Sequence, residues 1–393
     1  MGRGFSRVSL ISGDPMKDLF LLDPDVVYLN HGSFGACPRP VFEAYQRWQL
    51  ELERQPVAFL GRRAPQLLSE ARTALAGYLG CTDDEVVYFP NPTTALNMVA
   101  HSLALGTGDE ILASDHEYGA MDRTWRFLCS RSGAEYIQAA IPLPLSDPGQ
   151  VVDALWNYVS ERTRAIFLSH ITSPTAIRFP VEEVCRRARQ EGILTIIDGA
   201  HAPGQLELDL NTLGADFYAG ACHKWLCAPK GASFLYARRE AQDLLEPLVV
   251  SWGWEAEKPG PSLFIDHHEW QGTRDLAAFL SVPDAIAFQR EHDWPAVRQR
   301  CHQLALDLRQ RLLETLGLPG LTPAGEGWFI QMFAVPLPEL DPQALQRTLL
   351  EEHNIEVVAR RWNRRPLLRV SVQAYNDEID CSALESALKL ILT

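Results

Sequence analysis

The sequence predicts an α/β fold: a large unit on a mainly parallel sheet covered by helices, and a small C-terminal α+β unit. Three observations predict it. Six short apolar runs, at 86–89, 110–113, 165–168, 194–197, 215–218 and 233–236, have the length and continuity of strands buried on both faces. Helix-period stretches at 94–105, 148–160 and 181–191 separate several of them, the rhythm of parallel strands joined by crossover helices. Past about residue 284 the rhythm changes to a long helix followed by short alternating elements. In such a sheet a ligand sits beyond the C-terminal ends of the strands.

Taken in order, residues 1–25 read as an irregular arm, and the large unit spans 26–284. It opens on an apolar step at 26–29 and a glycine-punctuated loop at 30–35, where glycine lets the backbone approach another surface closely. A helix starts near Pro40, with Val41, Tyr45, Trp48 and Leu52 at helical spacing, and Pro is favoured in a first turn. A second starts near Pro65, carries Leu67, Leu68, Ala71, Leu75 and Tyr78, and stops near Gly80. After the six strands, a loop rich in Trp, His and Pro covers 252–270. The small unit, 285–393, begins with a helix at 295–316 that aligns Val297, Cys301, Leu304, Leu308 and Leu312. It continues as strand 329–337, helix 341–353, strands 355–360 and 367–373, and helix 377–392.

Composition narrows the function. A length of 393 residues suits two units, and 46% hydrophobic with 22% charged residues is ordinary for a soluble globular chain. The formal charge of −14 argues against nucleic acid and anionic membrane as partners, which select basic patches. No apolar run approaches the ~20 residues that span a bilayer, and residues 8–11 are too short for a secretory signal. Met1-Gly2 with Ser6 matches the N-myristoylation pattern only formally. Eight scattered cysteines without a CxxC pair or zinc-like spacing predict reduced thiols, a cytoplasmic chain and no metal site.

Two strand ends carry the chemistry. The run 194–197 ends abruptly in Asp198, followed by Gly199-Ala200-His201, and a later run ends in Cys222-His223-Lys224-Trp225. One acid and one amine at the same rim suit a carbonyl cofactor. A partly desolvated lysine loses its charge and becomes nucleophilic, and a buried anion keeps a pyridine nitrogen protonated. Either residue alone reads as a strand-capping Asp or a surface Lys. After the strand at 86–89, Asn91-Pro92-Thr93-Thr94 opens a helix whose free N–H groups and two hydroxyls form an anion site, or merely an N-cap.

In sequence order, Asn30-His31-Gly32-Ser33, Asn91-Pro92-Thr93-Thr94, Asp115-His116-Glu117-Tyr118, Asp198-Gly199-Ala200-His201, His223-Lys224-Trp225 and Arg369-Val370-Ser371 resemble the motifs of pyridoxal-phosphate enzymes of aminotransferase class V. Over about residues 25–380 the chain is most similar to the isopenicillin N epimerase-like branch, related to cysteine desulfurases and C–S lyases. The resemblance implies fold type I, with Lys224 forming the Schiff base to pyridoxal phosphate, Asp198 on the ring nitrogen and His201 near the phenolic oxygen. It also implies that Thr93, Thr94 and His223 hold the phosphate. By the same resemblance Tyr118 is the candidate to stack on the ring, with His116 second, and Ser173 stands at the position that faces the ring oxygen. Gly272-Thr273 resembles a segment reaching the phosphate of a neighbouring subunit, hence a homodimer with shared sites; read alone it is a turn. Arg369 resembles the arginine that grips the α-carboxylate of an amino-acid substrate, and read alone it could form a surface ion pair.

The expected reaction starts with removal of the Cα proton by Lys224. Epimerisation at Cα leads; β-elimination from a cysteine-derived substrate is the alternative, followed by transamination and, last, a non-catalytic regulator on the same fold. A desulfurase working through a protein persulfide needs a loop cysteine shortly before the substrate arginine, and between Cys301 and Cys381 the chain has none. His267, His268 and the arginines 360, 361, 364 and 365 read as solvated loop residues; if functional, the arginines could bind a second carboxylate. The Trp252 and Trp254 pair reads equally as core or as an apolar pocket lining.

Overall fold

The computed structural model of the protein describes residues 16–392. Met1, Gly2, Ser6 and the apolar stretch at 8–11 lie outside the described residues. Among the described residues the strands are β1 Val27–Tyr28, β2 Val86–Phe89, β3 Glu110–Ser114, β4 Glu135–Ala139, β5 Thr163–Ser169, β6 Leu194–Gly199, β7 Phe217–Ala221, β8 Ser233–Ala237, β9 Met332–Pro336, β10 Ile355–Glu356, β11 Val358–Trp362 and β12 Arg365–Ser371.

Seven of them form one sheet in the order β2-β8-β7-β6-β5-β3-β4. The pairs β3·β4, β3·β5, β5·β6 and β6·β7 are parallel, and β8 runs antiparallel to both its neighbours. Alternate side chains of β2 feed opposite layers: Val86 and Tyr88 join the cluster holding Leu68 and Leu75, Val87 and Phe89 the cluster holding Leu96 and Val99. With both faces covered, each such side chain contributes roughly 1.5–3 kcal/mol, which is why these strands read as unbroken apolar runs. Edge strand β4 is half-exposed and carries Glu135 and Gln138, so neither it nor the preceding helix Gly119–Ser132 stands out by apolar pattern.

The C-terminal part builds the antiparallel sheet β11-β12-β9 beside helices Trp294–Leu316, Pro342–His353 and Glu378–Leu392. The expected strand 355–360 is broken at Val357: β10 pairs in parallel with β1, tying the start of the large unit to the C-terminal one. The expected six-residue loop at 361–366 is instead a tight hairpin turn with Asn363 and Arg364 at φ 44° and 66°. Part of the arm at 16–25 is ordered by a short 3₁₀ turn at Lys17–Leu19 and by Phe20, whose ring meets Tyr375 and Phe288.

Two further expectations change. The loop at 30–35 contains a short helix, His31–Phe34, ended by Gly35 at φ 71°. A Cβ on Gly35 would lie 2.0 Å from the His223 carbonyl oxygen, so the close approach expected of a glycine there is real. The segment 252–270 includes helix Leu263–His268, and His268 is buried against Phe264 rather than solvated. No helix among the described residues is long and apolar enough to cross a membrane.

Candidate active site

Loops following β2, β3, β5, β6 and β7 meet at the C-terminal rim of the sheet, as strand direction requires. Around a cavity of about 230 Å³ they bring Asn91 and Thr93, Tyr118, Ser169 and Ser173, Asp198 and His201, and His223 and Lys224; Ser33 and Phe34 come from the N-terminal segment. Asp198 is in register with Ser169 on one side and Ala219 on the other, so three buried strands hold its backbone.

Lys224 and Asp198 are both buried and share this cavity. Burial, aided by the charges of Arg369 and Arg360 and opposed by Asp198, brings the Lys224 amine down to about 8, within reach of the neutral nucleophilic form. Burial also raises the Asp198 carboxyl, against the Ala200 N–H that donates to Oδ1 at 3.0 Å and the attraction of Lys224. His201 Nε2 stands 3.4 Å from Lys224 Nζ, and burial holds its ring neutral.

One end of the cavity is formed by helix Pro92–Ser102, whose first turn faces it. Asn91 caps it, accepting from the Thr94 N–H at 2.8 Å and the Thr94 hydroxyl at 3.0 Å. Thr94 therefore spends its side chain on the cap, while Thr93 lines the cavity. On the other side His223 donates through Nδ1 to the Ala232 carbonyl at 2.9 Å. A helix N-terminus with a hydroxyl and an imidazole at one end of the cavity, and a buried lysine and aspartate in its walls, is a donor set that fits pyridoxal phosphate.

Arg369 is 2% exposed at the centre of β12. Its Nη1 donates to the Ser173 carbonyl at 2.7 Å and hydroxyl at 3.3 Å, its Nη2 to the Ser33 hydroxyl at 3.1 Å, and its buried Nε has no partner. A buried guanidinium served only by neutral oxygens attracts an incoming anion; burial and Arg360 bring its pKa down to about 9. Arg360 is half-buried in β11, and its charge acts on Lys224, His201 and Arg369. It is thus separated from Arg361, which is exposed and donates to the Glu339 carboxylate and, at 2.7 Å, to the Leu340 carbonyl.

Between the two candidates for stacking, the structure puts Tyr118 on the cavity. His116 is buried elsewhere, with Nδ1 2.7 Å from the Thr175 hydroxyl and its ring 4.2 Å from that of Trp362. Gly272 and Thr273 lie in a turn away from this cavity, Gly272 at φ 121° and Thr273 exposed. Sequence reasoning quoted Glu117 and Ser33 within motifs without giving them a role, and passed over Ser169 and Phe34. Glu117 is buried, accepts from the hydroxyls of Ser114 and Ser169, and is pushed by burial up to about 8. A carboxyl one residue before Tyr118 was visible, but nothing local said that it turned inward.

The aminotransferase class-V family model matches residues 27–384. Isopenicillin N epimerase of Amycolatopsis lactamdurans is 40% identical over 381 residues, covering 94% of this chain and 96% of that protein. A probable chloroplastic L-cysteine desulfhydrase of Arabidopsis thaliana is 28% identical, covering 93% of this chain and 83% of its own length. Among solved structures, a C-DES mutant with glycine covalently linked to its PLP cofactor superposes with a TM-score of 0.83 at 22% identity, over 93% of this chain and 97% of that one. A rim that gathers lysine, aspartate and a helix N-terminus, with a family match over nearly the whole chain, leads to one conclusion: the chain belongs to the aminotransferase class V family and is a pyridoxal-phosphate enzyme.

Proposed function

We propose that the protein inverts or exchanges the Cα centre of an α-amino acid, an epimerase-type reaction, as a cytoplasmic homodimer. The observation that carries this reading is the placement of Lys224 and Asp198 on one cavity, with Arg369 donating to the cavity residues Ser33 and Ser173, in a chain 40% identical to an isopenicillin N epimerase. When bound, pyridoxal phosphate supplies a ring that withdraws negative charge developing at the substrate Cα. Asp198 would hold the positive charge of the ring nitrogen, Thr93 and His223 would hold the phosphate, Tyr118 would contact the ring, and Ser173 and His201 would serve its oxygen. Lys224, with its lowered affinity for protons, takes the Cα proton, and Arg369 orients the α-carboxylate. Arg360 adds a second positive charge beside the first, which favours substrates with an anionic group in the side chain.

The dimer is supported by exposed apolar side chains at Val250, Trp252, Trp254 and Leu263, and by the exposed Thr273, which with Gly272 would reach a neighbour's phosphate site. Eight free thiols accord with a reducing compartment.

The test is to incubate the holoenzyme with candidate amino acids in heavy water and follow Cα deuterium, optical rotation, keto acid and sulfide. Exchange with inversion and no keto acid supports the proposal. Pyruvate with sulfide from cysteine would replace it by a C–S β-lyase, the reading favoured by the desulfhydrase relative. Lys224→Ala should bind the cofactor without the near-visible absorption band and show no exchange.

A further inference from the structure

A hydrogen bond behind the cavity decides which nitrogen of His201 carries its proton. The Trp225 indole N–H donates to His201 Nδ1 at 3.3 Å. An indole nitrogen offers no lone pair, so Nδ1 is the acceptor, and a neutral imidazole then keeps its hydrogen on Nε2. Burial keeps the ring neutral. Nε2 is the atom 3.4 Å from Lys224 Nζ. An N–H therefore faces the amine. Only a neutral amine has a lone pair to receive it; an ammonium group has donors alone.

Trp225 is well placed to enforce this. It is 0% exposed, its carbonyl accepts from Gln289 Nε2 at 2.9 Å, and its ring lies 4.9 Å from that of His31. We propose that Trp225 is a positioning residue acting through His201: by holding the Nε2–H tautomer it directs a donor at Lys224 and favours the uncharged, nucleophilic amine. This rests on the reading of Lys224 as the residue that captures the cofactor aldehyde. The other groups bearing on the pair are Asp198, which favours the charged amine, Arg360 and Arg369, which disfavour it, and His31. A Trp225→Phe change removes the indole donor together with some buried ring volume beside His31, and leaves the side chains of Asp198, Arg360 and Arg369 unchanged.

The experiment follows capture of pyridoxal phosphate by the unloaded protein from pH 6 to 10, read as the near-visible band formed when the Lys224 amine adds to the aldehyde and one water leaves. In W225F, His201 is free to turn a lone pair toward an ammonium group, so the capture midpoint should rise by about one pH unit. In H201Q, which has no tautomer to choose, adding W225F should move the midpoint no further. A midpoint in W225F equal to wild type, with unchanged circular dichroism, overturns the proposal. If W225F does not fold, nitrogen-15 spectra of histidine-labelled wild type decide it: with the His201 signals assigned by their loss in H201Q, an unprotonated Nδ1 supports the proposal and a protonated Nδ1 refutes it. A wild type that never forms the band refutes the assignment of Lys224, and the nitrogen-15 spectra still decide the tautomer.

Discussion

Arg360 and Arg369 are diagonal neighbours on one face of the β11–β12 hairpin: Arg360 is opposite Leu367, and Arg369, two residues further on, is opposite Val358. In a pleated antiparallel pair such residues share a face at roughly 7–8 Å, close enough for two long side chains to serve one molecule. Neither has a carboxylate partner among the described residues. Two like charges this close and unpaired are costly unless an anion joins them.

Arg369→Lys keeps the charge but loses the fork that donates to Ser173 and Ser33. The substrate KM should rise by about 10- to 100-fold, with a smaller change in kcat. Steady-state kinetics on the holoenzyme check this; an unchanged KM would remove the carboxylate role.

Arg360→Ala should raise KM by about tenfold for amino acids with an anionic side chain and leave neutral ones within a factor of two. Equal losses on both kinds of substrate would instead tie Arg360 to the chemistry common to them, through its influence on Lys224.

Glu117 gives a pH dependence of stability. Its folded pKa is raised by burial to about 8, above the usual carboxylate range. Between the unfolded value near 4.5 and about 8 the folded state binds the extra proton, so this residue makes stability fall as pH rises through that window. Glu117→Gln keeps the side-chain size and one accepting oxygen, puts an amide N–H donor in place of the second, and cannot titrate in this range. The variant should lose less stability than wild type between pH 5 and 8, by on the order of a few kcal/mol, measured by thermal or urea unfolding.

Asp115 staples the hairpin tip to the β3 rim: its carbonyl accepts from the Trp362 indole at 2.9 Å and its Oδ2 from Asn363 Nδ2 at 2.6 Å. Asp115→Ala removes the second bond and should speed amide hydrogen exchange across 361–366 several-fold while the β6 and β7 amides stay protected. Unchanged exchange at the tip would show that the indole bond suffices.

The central strands and the helix following β2 were legible because both faces of the sheet are covered, which forces continuous apolar runs that end where the chemistry begins. Thr93, Asp198, His201, His223 and Lys224 fall beyond those ends and line one cavity. The hairpin was less legible. With a loop of six residues, the relative facing of Arg360 and Arg369 was undetermined; the two-residue turn at Asn363 and Arg364 contains no glycine to announce it. The same holds for Glu117, whose carboxylate accepts from Ser169, distant in sequence.

By itself, then, the sequence determined the order of the central apolar strands and the positions of an acid, an amine and a helix start beyond their ends, since these follow from local periodicity and from where an apolar run must stop. Tertiary structure alone decided where each polar group sits and what it bonds. It separated Thr93 from Thr94, Tyr118 from His116 and Arg360 from Arg361, and it set the proton of His201 through Trp225. The physical reason is that burial and hydrogen-bond direction are properties of packed neighbours in space, and a side chain's neighbours along the chain do not specify them.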